Sequence, residues 1–308
     1  ITVAIVSCTI VAIVSISLYL QGYSTLERVC LRKVVFLCRW SEGPVSTRKF
    51  MPALAAVLLC GGKGSRMLQG GVTTHKPLLE VGGMPATRFV VEGLLGGRLD
   101  FCQILVVVPP GREDEYADAL EGLGCRIVTQ EVALGTGNAV YGSLEHLLAP
   151  VEHVYVSFGT QPLVRSETVE GVLDVHIAND LGFTLATVIM DNPYAPLIRD
   201  DGGQVVGSVE THLEGAEMPE RGETNIGAYW ASRRALEEVL SQLHDSLYSE
   251  EEMRYNTGSG ELGYPNEMVR GCLAAGHGVD GVPIADEVEM MGIKTPETLA
   301  AIREIVGE

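Results

Sequence analysis

The sequence has 308 residues, 46% of them hydrophobic, with 36 glycines and 14 prolines, a mix that suits a turn-rich globular α/β protein of one large domain or two small ones. Its 22 Lys/Arg stand against 40 Asp/Glu, a net charge of −18; residues 1–50 hold six Lys/Arg and two Asp/Glu, so the remainder carries −22. So acidic a body excludes nucleic-acid binding, which needs a basic face, yet leaves room for a nucleotide in a local basic pocket. The seven cysteines (Cys8, Cys30, Cys38, Cys60, Cys102, Cys125 and Cys272) are scattered and contain no C-x-x-C, which argues against a disulfide framework or a zinc site and fits a reducing, cytoplasmic setting.

Residues 1–20 contain no charge, about the ~20 residues that a helix needs to span a bilayer. Arg28, Arg32, Lys33 and Arg39 follow, so the positive-inside rule puts the C-terminal side in the cytoplasm. Two readings of residues 1–50 stand side by side. One is a membrane segment with a basic linker, tethering the protein to the inner face of the membrane. The other is non-native upstream translation, because the sequence starts with Ile and Met51 directly precedes the first domain strand. The expected domain is 51–308.

From Met51 onward, strand-like and helix-like segments alternate, which predicts βαβ units around a mostly parallel sheet, a Rossmann-like three-layer α/β fold. Strands are expected at 53–60, 103–108, 125–129, 153–158, 183–190, 225–231 and 277–283. Helices are expected at 86–95, 112–123, 137–148, 166–179, 233–243, 266–275 and 295–306, with Ser166 and Thr295 as N-caps. A hairpin is read over 197–209, turning at Asp200-Asp201-Gly202-Gly203. The polar stretch 244–263, with Glu250-Glu251-Glu252, reads as an exposed loop.

The chemistry gathers after the first strand. Its uncharged run empties into Gly61-Gly62-Lys63-Gly64-Ser65-Arg66, and Lys76-Pro77 follows ten residues later. Glycines let backbone N–H groups approach a phosphate. Arg66 offers a planar fork of donors and Lys76 a mobile point charge. This is not a P-loop, since no G-K-[ST] closes the spacing, and Met67 occupies the third glycine position of a dinucleotide fingerprint. On its own the loop is equally a flexible turn with incidental basic residues. His75, His153, His176 and His277 show no metal-ligand spacing and read as structural or surface residues.

Four further motifs follow in order: Gln130-Glu131-Val132-Ala133-Leu134-Gly135-Thr136-Gly137-Asn138-Ala139; Phe158-Gly159-Thr160-Gln161-Pro162-Leu163; Glu210 with Asn225-Ile226-Gly227; and Gly292-Ile293-Lys294-Thr295-Pro296. Together they resemble the sugar-1-phosphate nucleotidyltransferases, most of all the uridylyltransferase domain of the bifunctional N-acetylglucosamine-1-phosphate enzymes. The resemblance implies transfer of a nucleotidyl group, uridylyl favoured, from a nucleoside triphosphate to a sugar 1-phosphate, with release of pyrophosphate. It implies nucleotide contacts at Leu59, Gly61, Gly62, Gly64, Ser65, Gln130, Gly135, Thr136, Gly159 and Thr160. Arg66 would sit on the β- and γ-phosphates, and Lys76 would steady the reacting phosphates. Gln130 would read the uracil edge, and Glu210 and Asn225 would hold sugar hydroxyls. No hexapeptide-type repeat is read, so acetyl transfer is not expected of this sequence.

Three positions depart from the family pattern. Mg²⁺ is expected for the family, but its protein ligands, an Asp and an Asn, are replaced here by Thr160 and Lys294, and magnesium wants carboxylate or carbonyl oxygen. The glycine-rich turn near the sugar becomes Tyr194-Ala195-Pro196, which lacks a backbone donor at Pro196. Either Lys294 supplies the missing positive charge, or the fold is kept for nucleotide-sugar binding or regulation with catalysis impaired.

Overall fold

In the computed structural model, which describes residues 52–62, 74–209 and 219–308, the uncharged run becomes β1 (Leu54–Leu59), buried at every residue. Burial on both faces is why the strand reads as continuous apolar sequence and not as an alternation. The chain continues through β2 (Phe101–Val108), β3 (Arg126–Thr129), β4 (His153–Phe158), β5 (Phe183–Asp191), β6 (Arg221–Ser232) and β7 (Val279–Val282). Among the described residues these form one seven-stranded sheet, in the order β7-β5-β6-β4-β1-β2-β3. All neighbours are parallel except β6, which runs antiparallel to both β4 and β5.

Alternate residues of the strands feed two cores. On one face Val57, Leu105 and Val156 pack with α3 (Thr136–Ser143), α5 (Arg233–Leu247) and α6 (Pro265–Ala275). On the other, Leu58, Val106 and Trp230 pack with α1 (Ala86–Gly96), α2 (Glu113–Ala119) and α4 (Ser166–Ala178). The result is the three-layer, mostly parallel arrangement that the alternating pattern predicts. A last helix, α7 (Pro296–Val306), starts on a Thr295 cap and buries Leu299 and Ile302 against Val81 and Ala86.

Three local expectations are corrected. The helix expected over 112–123 ends at Ala119, because Gly122 and Gly124 take positive φ and Leu123 closes a tight turn onto the Leu120 carbonyl. Ser166 is not a cap: the first helical bond runs from Val169 N–H to the Arg165 carbonyl, and the Ser166 hydroxyl turns to Glu167. The stretch 244–263 is not an exposed loop. Helix α5 runs through Leu247, Tyr248–Ser249 pairs with Arg254–Tyr255, and Tyr255 and Leu262 are fully buried.

The expected hairpin forms between Leu197–Arg199 and Val205–Ser208, with Asp200 Oδ1 accepting from the N–H groups of Gly202 and Gln204 at 3.0 and 2.9 Å. Arg199 fastens it to the sheet through Glu223 and Asp280, at 2.7 and 2.8 Å.

No helix among the described residues is long and apolar enough to cross a membrane. The candidate segment 1–20 lies outside them.

Candidate active site

The sheet places the site. After β1 the chain builds β2 and β3 on one side, then crosses to form β4 on the other, so strand order reverses at β1 and a crevice opens at the carboxyl ends of β1 and β4. The two strands are stitched there: the Gly159 N–H donates to the Leu59 carbonyl at 3.1 Å. A Cβ at Gly159 would fall 2.4 Å from Cys60 Sγ, so only glycine lets the β4 end lie this close to the β1 end. Gly159 thus supports the floor of the crevice. Burial pushes the Cys60 thiol up to about 12, which removes it as a nucleophile.

A cavity of about 490 Å³ fills the crevice. Of the residues expected in the site it gathers Leu59, Gly62, Lys76, Thr136, Thr160, Asn225 and Lys294. Gly64, Ser65, Arg66 and Glu210 lie outside the described residues. Gln130 lines a neighbouring cleft of about 240 Å³ between β3 and α3. It still adjoins the glycines after β1: a Cβ at Gly61 would fall 2.9 Å from Gln130 Oε1.

Gly135 and Thr136 open α3, and the need for glycine is steric. Gly135 has φ +99°, and a Cβ there would sit 2.3 Å from the Leu262 carbonyl oxygen; one at Gly137 would sit 2.1 Å from that of Gly263. The Gly137 N–H donates to the Leu262 carbonyl at 2.8 Å. The segment that enters α6 therefore rests directly on the loop that presents Thr136.

Asn225 reaches the cavity through a bulge. The β5–β6 register shifts between Asn225 and Tyr229, with Gly227 at φ +88°, and such an irregularity turns a side chain off the ladder. Tyr229 donates its hydroxyl to Asn225 Oδ1 at 2.8 Å, which aims the amide. Gln161 wedges the bulge open, donating to the Ile226 carbonyl at 2.5 Å. Beside it, the Ala195 N–H is taken by Thr224 Oγ1 at 3.0 Å, so the Tyr194-Ala195-Pro196 turn spends on the fold the donor that a glycine turn would offer a ligand.

Thr160 and Lys294 belong to one patch. The Ile293 N–H donates to the Thr160 carbonyl at 2.9 Å, which brings the segment before α7 across the β4 end. Lys294 Nζ lies over the Tyr194 ring, 5.1 Å from its centroid. The cavity is also lined by Glu261, Asn266, Glu267 and Arg270, none of which stands out in the sequence. They sit at and before the start of α6, in and beside the stretch misread as a loop. His75, expected to be a structural or surface residue, has a structural role. Its Nε2 lies 2.9 Å from the Gly62 carbonyl and its Nδ1 2.7 Å from Tyr116 Oη.

Residues 56–214 match the family model described as the MobA-like NTP transferase domain. The chain belongs to that family. It is a nucleotidyltransferase by family. This transferase is 30% identical over 253 residues to the bifunctional protein GlmU of Geobacter metallireducens, covering 81% of this chain and 50% of that one. The chain spans about half the length of the curated relatives it matches. Among solved structures, a 4-diphosphocytidyl-2C-methyl-D-erythritol synthase from Anaerococcus prevotii superposes with a TM-score of 0.57 at 13% identity, over 83% of this chain and 99% of the other. A nucleotidyl transferase from Methanothermobacter does so with a TM-score of 0.53 at 19% identity, over 82% and 97%. At these identities the two structures speak to the fold alone.

The family is generally magnesium-dependent; at the two positions where the resemblance puts its ligands, this chain has neither a carboxylate nor an amide. Position 160 offers a hydroxyl, with its backbone carbonyl engaged by Ile293, and position 294 offers an ammonium. Among the described residues no group of three or more His, Cys, Asp or Glu is placed to hold a metal.

Proposed function

We propose that this transferase moves a uridylyl group from UTP to a sugar 1-phosphate, releasing pyrophosphate. Support comes above all from one observation: Leu59, Lys76, Thr136, Thr160, Asn225 and Lys294 all line a single cavity. It thus presents two ammonium groups, a glycine-framed helix start and polar side chains to one space, as two phosphorylated substrates require.

An anionic oxygen of the sugar phosphate attacks the α-phosphorus of the nucleotide, forming the new P–O bond as the bond to the pyrophosphate oxygen breaks. The nucleophile is already ionised, so no general base is needed, and catalysis reduces to alignment and charge neutralisation. Lys76 steadies the reacting phosphates. Lys294, which lines the same cavity, supplies one positive charge where the family uses a divalent ion. Chemistry slower than that of a magnesium-loaded site is expected, with little response to added magnesium. Asn225 and Glu210 hold acceptor hydroxyls.

The second reading is a nucleotide-sugar-binding or regulatory protein of the same fold, favoured by Thr160 and Lys294. Pyrophosphate release from UTP with a panel of sugar 1-phosphates, with and without Mg²⁺, separates the two. Turnover with any acceptor supports the transferase. UTP or UDP-sugar binding by calorimetry with no turnover supports the binding protein and sinks the first reading.

A further inference from the structure

Gln130 is not free to present either end of its amide. Its Nε2 lies 3.1 Å from the Gly135 carbonyl oxygen and 2.8 Å from Asn138 Oδ1. A backbone carbonyl can only accept, so the atom of Gln130 that faces Gly135 is the NH₂. That group has two hydrogens, and these two contacts use both. Asn138 must then face Gln130 with its oxygen, which turns its Nδ2 toward Tyr255 Oη, 3.1 Å away. Tyr255 Oη accepts there, and it lies 2.9 Å from Nδ1 of His244, a contact in which either atom can donate. The Gly135 carbonyl and the Asn138 amide, itself held by Tyr255, therefore hold Gln130 in the same orientation.

The far end of this chain is well held. His244 is stacked between the rings of Tyr141 and Tyr248, with centroids 4.4 and 4.7 Å away. Tyr255 is fully buried. Reversing the amide of Asn138 would set its oxygen toward Tyr255 and its NH₂ against the NH₂ of Gln130, two donors face to face. With its nitrogen committed, Gln130 has only Oε1 left to offer, on the side where Gly61 opens the glycines after β1.

We propose that Asn138, Tyr255 and His244 are positioning residues that make Gln130 an acceptor-only contact, and that this selects a nucleobase with a ring N–H, uracil or thymine, over cytosine. The proposal rests on the reading of Gln130 as the base contact. Uracil and thymine carry a hydrogen on N3, which a carbonyl oxygen accepts. Cytosine has a lone pair at N3, and oxygen set against it is repelled. A freely turning glutamine would satisfy either base, because its NH₂ could meet cytosine N3 as well as its oxygen meets uracil N3–H. The choice therefore comes from the fixed polarity and not from the glutamine as such.

The test is calorimetric titration of the whole chain with UTP and with CTP, for the wild type and for Asn138→Leu, Tyr255→Phe and Gln130→Leu. The wild type is expected to prefer UTP by about tenfold or more. Asn138→Leu releases one Nε2 hydrogen and is expected to narrow the preference to about threefold or less, chiefly through a gain in CTP binding. Tyr255→Phe keeps the buried ring and is expected to narrow it in the same direction. Gln130→Leu abolishes it. A merely structural role for Asn138 or Tyr255 would lower both affinities together and leave their ratio unmoved. A wild type that binds UTP and CTP equally overturns the proposal, and so do Asn138→Leu and Tyr255→Phe variants that keep the wild-type ratio. A wild type that binds neither nucleotide overturns it together with the nucleotidyl reading beneath it.

Discussion

His75 Nε2 lies 2.9 Å from the carbonyl oxygen of Gly62, so the residue just before Lys76 is tied to the start of the glycine-rich segment after β1. Because that oxygen can only accept, the ring hydrogen sits on Nε2, and Nδ1 accepts from Tyr116 at 2.7 Å. Burial holds the imidazole below its ordinary pKa, in keeping with a neutral clasp. His75→Ala releases both bonds, at a cost of about 1 kcal/mol each. UTP affinity is expected to fall about five- to tenfold, measured by titration, while the domain still melts cooperatively.

The glycines before and inside α3 give a test with an unusual sign. Alanine in a helix is ordinarily favoured over glycine by about 1 kcal/mol. Gly137→Ala should instead destabilise the domain by about 2–3 kcal/mol, because its Cβ has the Gly263 carbonyl oxygen 2.1 Å away. Gly135→Ala should do the same through strain at φ +99°. Gly142→Ala, in the same helix with open space around the Cβ position, should be neutral or slightly stabilising. Urea unfolding of the three variants reads the contrast directly.

The Lys294 ammonium can be separated from ordinary phosphate contact by its relation to magnesium. Lys294→Ala is expected to lower kcat by on the order of a hundredfold, as for loss of one preorganised charge contact to the reacting phosphates. The pair Thr160→Asp with Lys294→Asn offers oxygen at both positions. Its activity is expected to rise with added Mg²⁺, where the wild type responds little. Unchanged activity in Lys294→Ala would refute the role of the ammonium.

Acid should loosen the fold through the buried pair His153–His176. His176 is fully buried, with Nε2 3.0 Å from His153 Nδ1 and Nδ1 2.8 Å from Thr184 Oγ1. Burial, reinforced by the neighbouring His153, pushes it down to about 3 from 6.5. The folded state thus refuses a proton that the unfolded chain accepts. Its contribution is fully present above pH 6.5 and is lost as pH falls toward 3, at up to about 1.4 kcal/mol per pH unit. Urea midpoints at pH 7, 5 and 4 should fall accordingly, and His176→Gln should flatten the slope.

Much of this protein could be read from its residues, and the failures have a common cause. The buried strand β1, the glycine turn after it and the hairpin at Asp200 announce themselves locally, through an apolar run or a turn residue. Leu59, Lys76, Thr136, Thr160 and Lys294 converge because each lies at or just after a strand end or at or just before a helix start, whereas Asn225 joins them through the bulge in β6. The stretch 244–263 was misread because its acidic triplet dominates its composition, whereas the residues that anchor it, Tyr255 and Leu262, are isolated and follow no period. The partners of His75, Gly62 and Tyr116, gave no signal at all, since they are chosen by the fold and not by spacing.

The bond from Ile293 N–H to the Thr160 carbonyl also fixes the order in which the cavity can come into being. On a ribosome adding about 5–20 residues per second, the strands carrying Leu59 and Thr160 are made on the order of ten seconds before Lys294. Until then the nascent sheet carries an open crevice, with neither the ammonium nor the segment that supports it. The growing chain thus holds the frame of the cavity well before it holds the Lys294 charge that lines it.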